Sequence, residues 1–141
     1  MNARIEKTFV DTNVLVYSCD LDVPFKQKAA EQVLDELWQE RAGVVSVQVL
    51  QEFYVTVTRK LRKPMSTEAA REVVHLYTRW CLETGPAIVA AAFRIEDEAR
   101  IKFWDALIVA SAAQAGAVRL LSEDMNAGQV IAGVRIENPF Q

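Results

Sequence analysis

Thr8-Phe9-Val10-Asp11-Thr12-Asn13-Val14-Leu15-Val16-Tyr17 decides how the rest of the chain is read. Thr8 to Val10 is a short apolar, β-favouring run of the kind that forms a buried strand. Asp11-Thr12-Asn13 breaks it with residues that cap and turn. An apolar run resumes at Val14 and continues to Ser18, read as a helix. Strand, acid, helix is the opening of a parallel α/β unit. It puts Asp11 beyond the carboxyl end of a strand, where open α/β sheets bind their ligands.

Downstream the alternation continues. Pro24 opens a helical pattern over Phe25 to Glu40, with Ala29, Val33 and Leu37 at helical spacing. Gly43 ends it and Val44-Val45 makes a short strand. Ser46 caps a helix over Val47 to Arg62 that stops before Pro64. Ser66 and Thr67 are caps for a helix reaching Trp80. Leu82 lies in an ambiguous segment, read as a short strand before Gly85-Pro86, and Pro86 suits the first turn of a helix through Ala99. Trp104 to Ala115 is helical and apolar nearly all round, hence buried, and Gly116 ends it. Val118 to Leu121 and Val134 to Ile136 are strands. The expected fold is one α/β domain over residues 1–141, a short, mostly parallel central sheet flanked by helices as an α/β/α sandwich.

Composition narrows the chemistry. The 141 residues, 51% hydrophobic and 25% charged, suit a single globular domain. A net charge of −3 excludes a generally basic nucleic-acid binder, so any such contact needs a local cationic patch. Cys19 and Cys81 have neither metal nor redox spacing and read as core residues in a reducing cytosol. Met1 to Lys7 has no leader architecture, and no apolar stretch is long enough to cross a bilayer; the expected location is cytoplasmic. His75 is the only histidine. It stands alone in a helix without the second positioned group that acid–base catalysis needs.

What remains is carboxylate: Asp11, Glu52, Asp105 and Asp124 each lie at the edge of an apolar stretch. Each also has a structural reading. Asp11 serves equally well as the cap of the next helix. Asp105 suits the positive end of a helix. Glu52 projects away from the stripe Val47, Leu50, Tyr54, Val57 and Leu61, so periodicity alone calls it solvated. Asp124 is by default a turn charge, and Glu96-Asp97-Glu98 a solvated helix face.

The local sequences around the four acids resemble the PIN-domain family of metal-dependent nucleases, and within it the VapC-type ribonuclease toxins. Val10-Asp11-Thr12-Asn13-Val14-Leu15-Val16-Tyr17 is similar to that family's opening motif. Ser46-Val47-Gln48-Val49-Leu50-Gln51-Glu52-Phe53 is similar to its second block, Phe103-Trp104-Asp105-Ala106-Leu107-Ile108-Val109-Ala110 to its third, and Leu121-Ser122-Glu123-Asp124-Met125 to its fourth. Asn138-Pro139-Phe140 matches its usual ending. Lys102 departs from the pattern, where a small polar residue is more usual.

The resemblance implies an Mg²⁺-dependent endoribonuclease, with Mn²⁺ as a substitute. Asp11, Glu52, Asp105 and Asp124 become metal ligands and catalytic acids, and Asn13 and Ser122 their polar support. Expected products are a 5′-phosphate and a 3′-hydroxyl. It also implies a homodimer, a small antitoxin that covers the acids, and an RNA target such as transfer RNA. A nuclease of RNA processing without an antitoxin is the alternative.

The chemistry agrees. Clustered carboxylates repel, so without a cation at least one has a raised pKa or the cluster splays. Hard divalent ions with oxygen ligands relieve this. For the RNA track, Arg59 and Lys63 are expected on the helix face that carries Glu52, with Arg59 about 10 Å along the axis at helical rise. Trp38, Tyr54, Trp80 and Trp104 are read as packing residues, with Trp104, beside Asp105, the one suited to a base contact. A phospho-acceptor domain would need an acidic pair near Asp11 and a lysine after a strand; neither is present. A non-catalytic RNA-binding module would have no use for all four acids.

Overall fold

The computed structural model describes residues 5–141; the reading of Met1 to Lys7 lies in part outside them. Strand β1 (Lys7–Val10) is followed by α1 (Thr12–Ser18), α2 (Pro24–Glu40), β2 (Gly43–Ser46) and α3 (Val47–Arg59). Next come α4 (Thr67–Tyr77), a 3₁₀ turn (Thr78–Trp80), β3 (Cys81–Leu82), α5 (Ala87–Ala99), α6 (Phe103–Gln114), β4 (Ala117–Leu121), β5 (Val130–Ile131) and β6 (Val134–Glu137).

The sheet runs β3-β2-β1-β4-β6-β5. It is parallel throughout except for β5, which pairs antiparallel with β6. This is the expected α/β architecture. From β1 the chain moves outward to β2 on one side and later returns to β4 on the other. The strand order therefore reverses at β1/β4, and a crevice opens outside their carboxyl ends. The Asp11 N–H donates to the Leu121 carbonyl at 2.9 Å, closing the two strands together at that point.

The buried strands are near-continuous apolar runs, as a sheet covered on both faces requires. Phe9, Val10, Val45, Leu120 and Ile136 are all buried. Helix α6 packs on β4, β2 and β6 and against α5, while α1 packs on α2 and α3. Its residues Ala106 and Ile108 to Ala112 are buried, as its apolar circumference foretold. Trp38, Tyr77 and Trp80 form an aromatic cluster with ring centroids 4.5–5.4 Å apart. Cys19 and Cys81 are half-buried free thiols, pushed up in pKa chiefly by burial.

Several boundaries differ from the sequence reading. Helix α3 ends at Arg59 rather than Arg62, its cap Lys60 donating to the Thr56 carbonyl. The chain then bends back so that the Met65 N–H reaches the Val57 carbonyl at 2.8 Å. Helix α4 tightens into the 3₁₀ turn after Tyr77. The stripe that α3 buries is Val49, Leu50, Phe53 and Val57; Val47 is exposed. On α2 the buried set is Ala30, Leu34 and Leu37, with Ala29 and Val33 at its margin. Strand β5 had no sequence signal of its own: it is a two-residue edge formed by a tight turn at Ala132-Gly133, both at positive φ (50° and 79°).

Candidate active site

Asp11, Glu52, Asp105 and Asp124 line one cleft of about 350 Å³, together with Thr12, Asn13, Gln48, Trp104 and Glu123. Four separate segments supply the acids: the end of β1, the second turn of α3, the first turn of α6, and the loop after β4.

Asp11 is both a cap and a cleft acid. One carboxylate oxygen accepts the Thr12 N–H at 2.7 Å at the start of α1. The other accepts the Ser122 hydroxyl at 2.7 Å. Only 8% of its surface is exposed. Burial pushes its pKa up to about 6, against the lowering pull of the Ser122 and Thr12 hydrogen bonds, and Glu52 and Asp105 raise it further. Asp105 is also raised, chiefly by burial; Lys102 opposes the rise, and Asp124 and Glu52 add to it. A carboxylate serving only the helix dipole would be lowered, so at Asp105 burial and like charge outweigh the helix terminus.

Asn13 organises the loop after β4. Its amide nitrogen donates to Asp124 at 3.1 Å and to the Ser122 hydroxyl at 3.3 Å, while its carbonyl oxygen accepts the Glu123 N–H at 3.1 Å. The Asp124 N–H closes back onto the Ser122 hydroxyl at 3.3 Å. Asn13 and Ser122 therefore tie the two strand ends across the β1/β4 crevice. Glu123 turns to another set of partners: Lys26 at 2.5 Å and the Tyr17 hydroxyl at 2.8 Å.

Glu52 is exposed, as periodicity said, yet it faces the cleft. It accepts the Thr12 hydroxyl at 3.0 Å and the Gln48 amide at 2.9 Å. The sequence reading passed over Thr12, Gln48, Lys26 and Tyr17. Gln48 could have been found from its i, i+4 spacing to Glu52, and Thr12 from its place inside the Asp-Thr-Asn motif. Lys26 and Tyr17 carry no such signal, because only the packing of α1, α2 and the β4 loop brings them to Glu123.

The cations fall differently from expectation. Arg59, the last residue of α3, keeps its i+7 place on the Glu52 face, but Lys63 lies in the bend beyond the helix and leaves that face. Lys60 instead lines a shallow groove with Gln51, Glu52, Val55 and Thr56. His75 is exposed on α4, in a separate depression with Thr67, Glu68, Arg71 and Glu72. Trp38 and Trp80 pack as read, but Trp104 is 64% exposed.

Among the described residues no three of His, Cys, Asp or Glu are gathered tightly enough to form a finished metal cage. The donor set still suits a hard divalent cation. It is oxygen only, and its deepest member, Asp11, holds its proton unusually strongly, chiefly because it is buried and also because Glu52 and Asp105 lie near. Among the described residues no helix is long and apolar enough to cross a membrane.

No curated protein sequence matches the chain. Solved structures share its fold at low identity. One chain of FitAB bound to a DNA fragment superposes with a TM-score of 0.71 at 19% identity, covering 95% of this chain and 96% of that one. A chain of DNA-bound VapBC from Salmonella typhimurium gives 0.66 at 19%, covering 95% and 98%. A toxin–antitoxin complex from Klebsiella pneumoniae gives 0.66 at 18%, covering 91% and 95%. The PIN domain family model matches residues 8–130, a span that contains all four cleft acids. The chain therefore belongs to the PIN-domain family.

Proposed function

We propose that the protein is a divalent-metal-dependent endoribonuclease of the VapC toxin type, neutralised by a cognate antitoxin. The observation that carries this reading is the meeting of Asp11, Glu52, Asp105 and Asp124 in one cleft at the strand-order reversal. Family membership supports nuclease chemistry, and the structural neighbours, a toxin–antitoxin complex and VapBC assemblies among them, support the toxin assignment.

In this reading the four acids hold Mg²⁺, or Mn²⁺ in its place. When bound, such an ion neutralises the phosphodiester's charge and lowers the pKa of the attacking water. The chain's own residues do the positioning. Ser122 and the Thr12 N–H fix the two oxygens of Asp11. Asn13 steers Asp124. Thr12 and Gln48 keep Glu52 turned toward the cleft. The products are a 5′-phosphate and a 3′-hydroxyl. Arg59 remains a phosphate contact for the flanking RNA, joined by Lys60 from the groove beside Glu52, and Lys63 acts from the bend. An antitoxin arginine among these carboxylates would satisfy them as bidentate partners. A homodimer acting on cytoplasmic RNA, transfer RNA among the targets, completes the assignment.

The test is incubation of the protein, freed of any co-purifying antitoxin, with a small-RNA pool in Mg²⁺, Mn²⁺ or EDTA. The expected outcome is cleavage in either metal, none in EDTA, and none by Asp11→Asn. Ser122→Ala, which frees an Asp11 oxygen, is expected to lose about 10–100-fold. Cleavage that survives both EDTA and Asp11→Asn would disprove the carboxylate mechanism.

A further inference from the structure

Among the described residues, Trp104 is the one aromatic side chain that both lines the acid cleft and stands largely in solvent. Tryptophan is on average a strongly buried residue, and the other two in this chain follow the rule: Trp80 is buried and Trp38 packs against it at 4.5 Å. The exposure of Trp104 serves no packing purpose in the chain itself.

The indole is nevertheless held. It meets Phe103 edge-to-face, with ring centroids 5.2 Å apart and planes at 73°, and Phe103 in turn lies against Phe93 at 5.7 Å. A flat aromatic surface is thus mounted on the first turn of α6, one residue before Asp105.

The surroundings decide what it can receive. The cleft presents Asp11, Glu52, Asp105 and Asp124, a wall that repels phosphate wherever no cation intervenes. Affinity near such a wall comes most readily from a neutral group. A nucleobase is neutral, flat and apolar on its faces, and its stacking on an aromatic side chain is insensitive to the acids.

Resting on the nuclease reading above, we propose that Trp104 is the base-stacking residue of this cleft, gripping one unpaired nucleobase beside the phosphodiester held by the acids. A base stacked on Trp104 has left its helix, so the contribution of Trp104 is confined to unpaired RNA. Because every base has a π-face, Trp104 selects for the unpaired state rather than for one letter.

The test uses the full-length protein in Mg²⁺ with a labelled, cleavage-resistant phosphorothioate RNA, a random-sequence 12-nucleotide strand beside a 12-base-pair duplex of the same chemistry. Trp104→Ala and Trp104→Leu are each expected to weaken binding of the single strand by ~5–100-fold, with Trp104→Phe between them and the parent. The slope of log affinity against log salt stays unchanged, because no phosphate contact is lost. Duplex binding does not respond to any of the three. A leucine protein that binds like the parent, or an equal loss for duplex and single strand, would overturn the stacking role while leaving the nuclease reading in place. Failure of the parent protein to bind the single strand would overturn both. Light scattering on the same proteins covers the rival occupant. If Trp104→Ala binds RNA normally but loses self-association, the patch belongs to a second copy of the chain and the proposal falls.

Discussion

At the scale of single residues, Asp11 sets the electrostatics of the cleft. Its folded pKa of about 6 stands above the ordinary 3.8, so the metal-free folded state holds a proton that the unfolded chain releases between those values. The stabilising contribution is therefore full below about pH 4 and lost as pH rises through 6. Above pH 7 the buried charge costs roughly 3 kcal/mol at 1.36 kcal/mol per unit of pKa. Asparagine carries no charge there and can still accept from Thr12 and pair with Ser122. In EDTA, Asp11→Asn should accordingly raise unfolding stability by ~1–3 kcal/mol at pH 8 and by nothing measurable at pH 4. Urea melts at the two pH values check this. A destabilised Asp11→Asn protein at pH 8 would show that the cap and Ser122 bonds outweigh the buried charge.

Among the elements, β2 shows how closely the frame constrains what the site can tolerate. Gly43 opens β2 against the Trp80 ring, and an added Cβ would lie 2.5 Å from it. Trp80 is pinned by Trp38 and Tyr77, so it cannot simply swing aside. Gly43→Ala is expected to cost ~1–3 kcal/mol by overpacking, read as a lower urea midpoint with an unchanged m-value. An unchanged midpoint would mean the aromatic cluster is looser than its ring contacts imply. The strand matters to function because its end, Ser46, caps α3 by accepting the Val49 N–H, and α3 carries Glu52 to the cleft.

Across the whole molecule, the cleft joins segments far apart in sequence, so a cation held there would act as a cross-link between β1, α3, α6 and the β4 loop. A ligand that binds only the folded state at a hundredfold excess over Kd adds about 2.7 kcal/mol. In a domain of this size that corresponds to a rise in Tm of roughly 5–10 °C. The expected result is such a rise with Mg²⁺ at pH 8, a smaller one at pH 5 where protons compete for Asp11, and none in Asp11→Asn. A rise of equal size in Asp11→Asn would place the ion elsewhere.

Much of this was legible in the chain alone. Asp11 could be placed at a strand end because an apolar run stops there and a helix begins, both local events. The buried character of α6 followed from an apolar circumference that no exposed helix can sustain. The four motif blocks, each too short to mean much singly, named the acids by their order. Other features were not local. Periodicity called Glu52 solvated, and it is exposed; that its exposed side is the cleft depends on where α3 sits against α1. Lys63 lost its place on the Glu52 face because α3 ends early, where the chain bends back to Val57. Glu123 stands next to Asp124, and in the sequence only the family motif favoured Asp124; Lys26 and Tyr17, from α2 and α1, hold Glu123 to one side. Trp104 read as packing because its neighbours are apolar, yet the first turn of α6 leaves it in solvent. Alternation, capping and burial period are short-range and written in the sequence. Which side chains share a cleft is a matter of how helices dock on the sheet, and only the tertiary structure decided it.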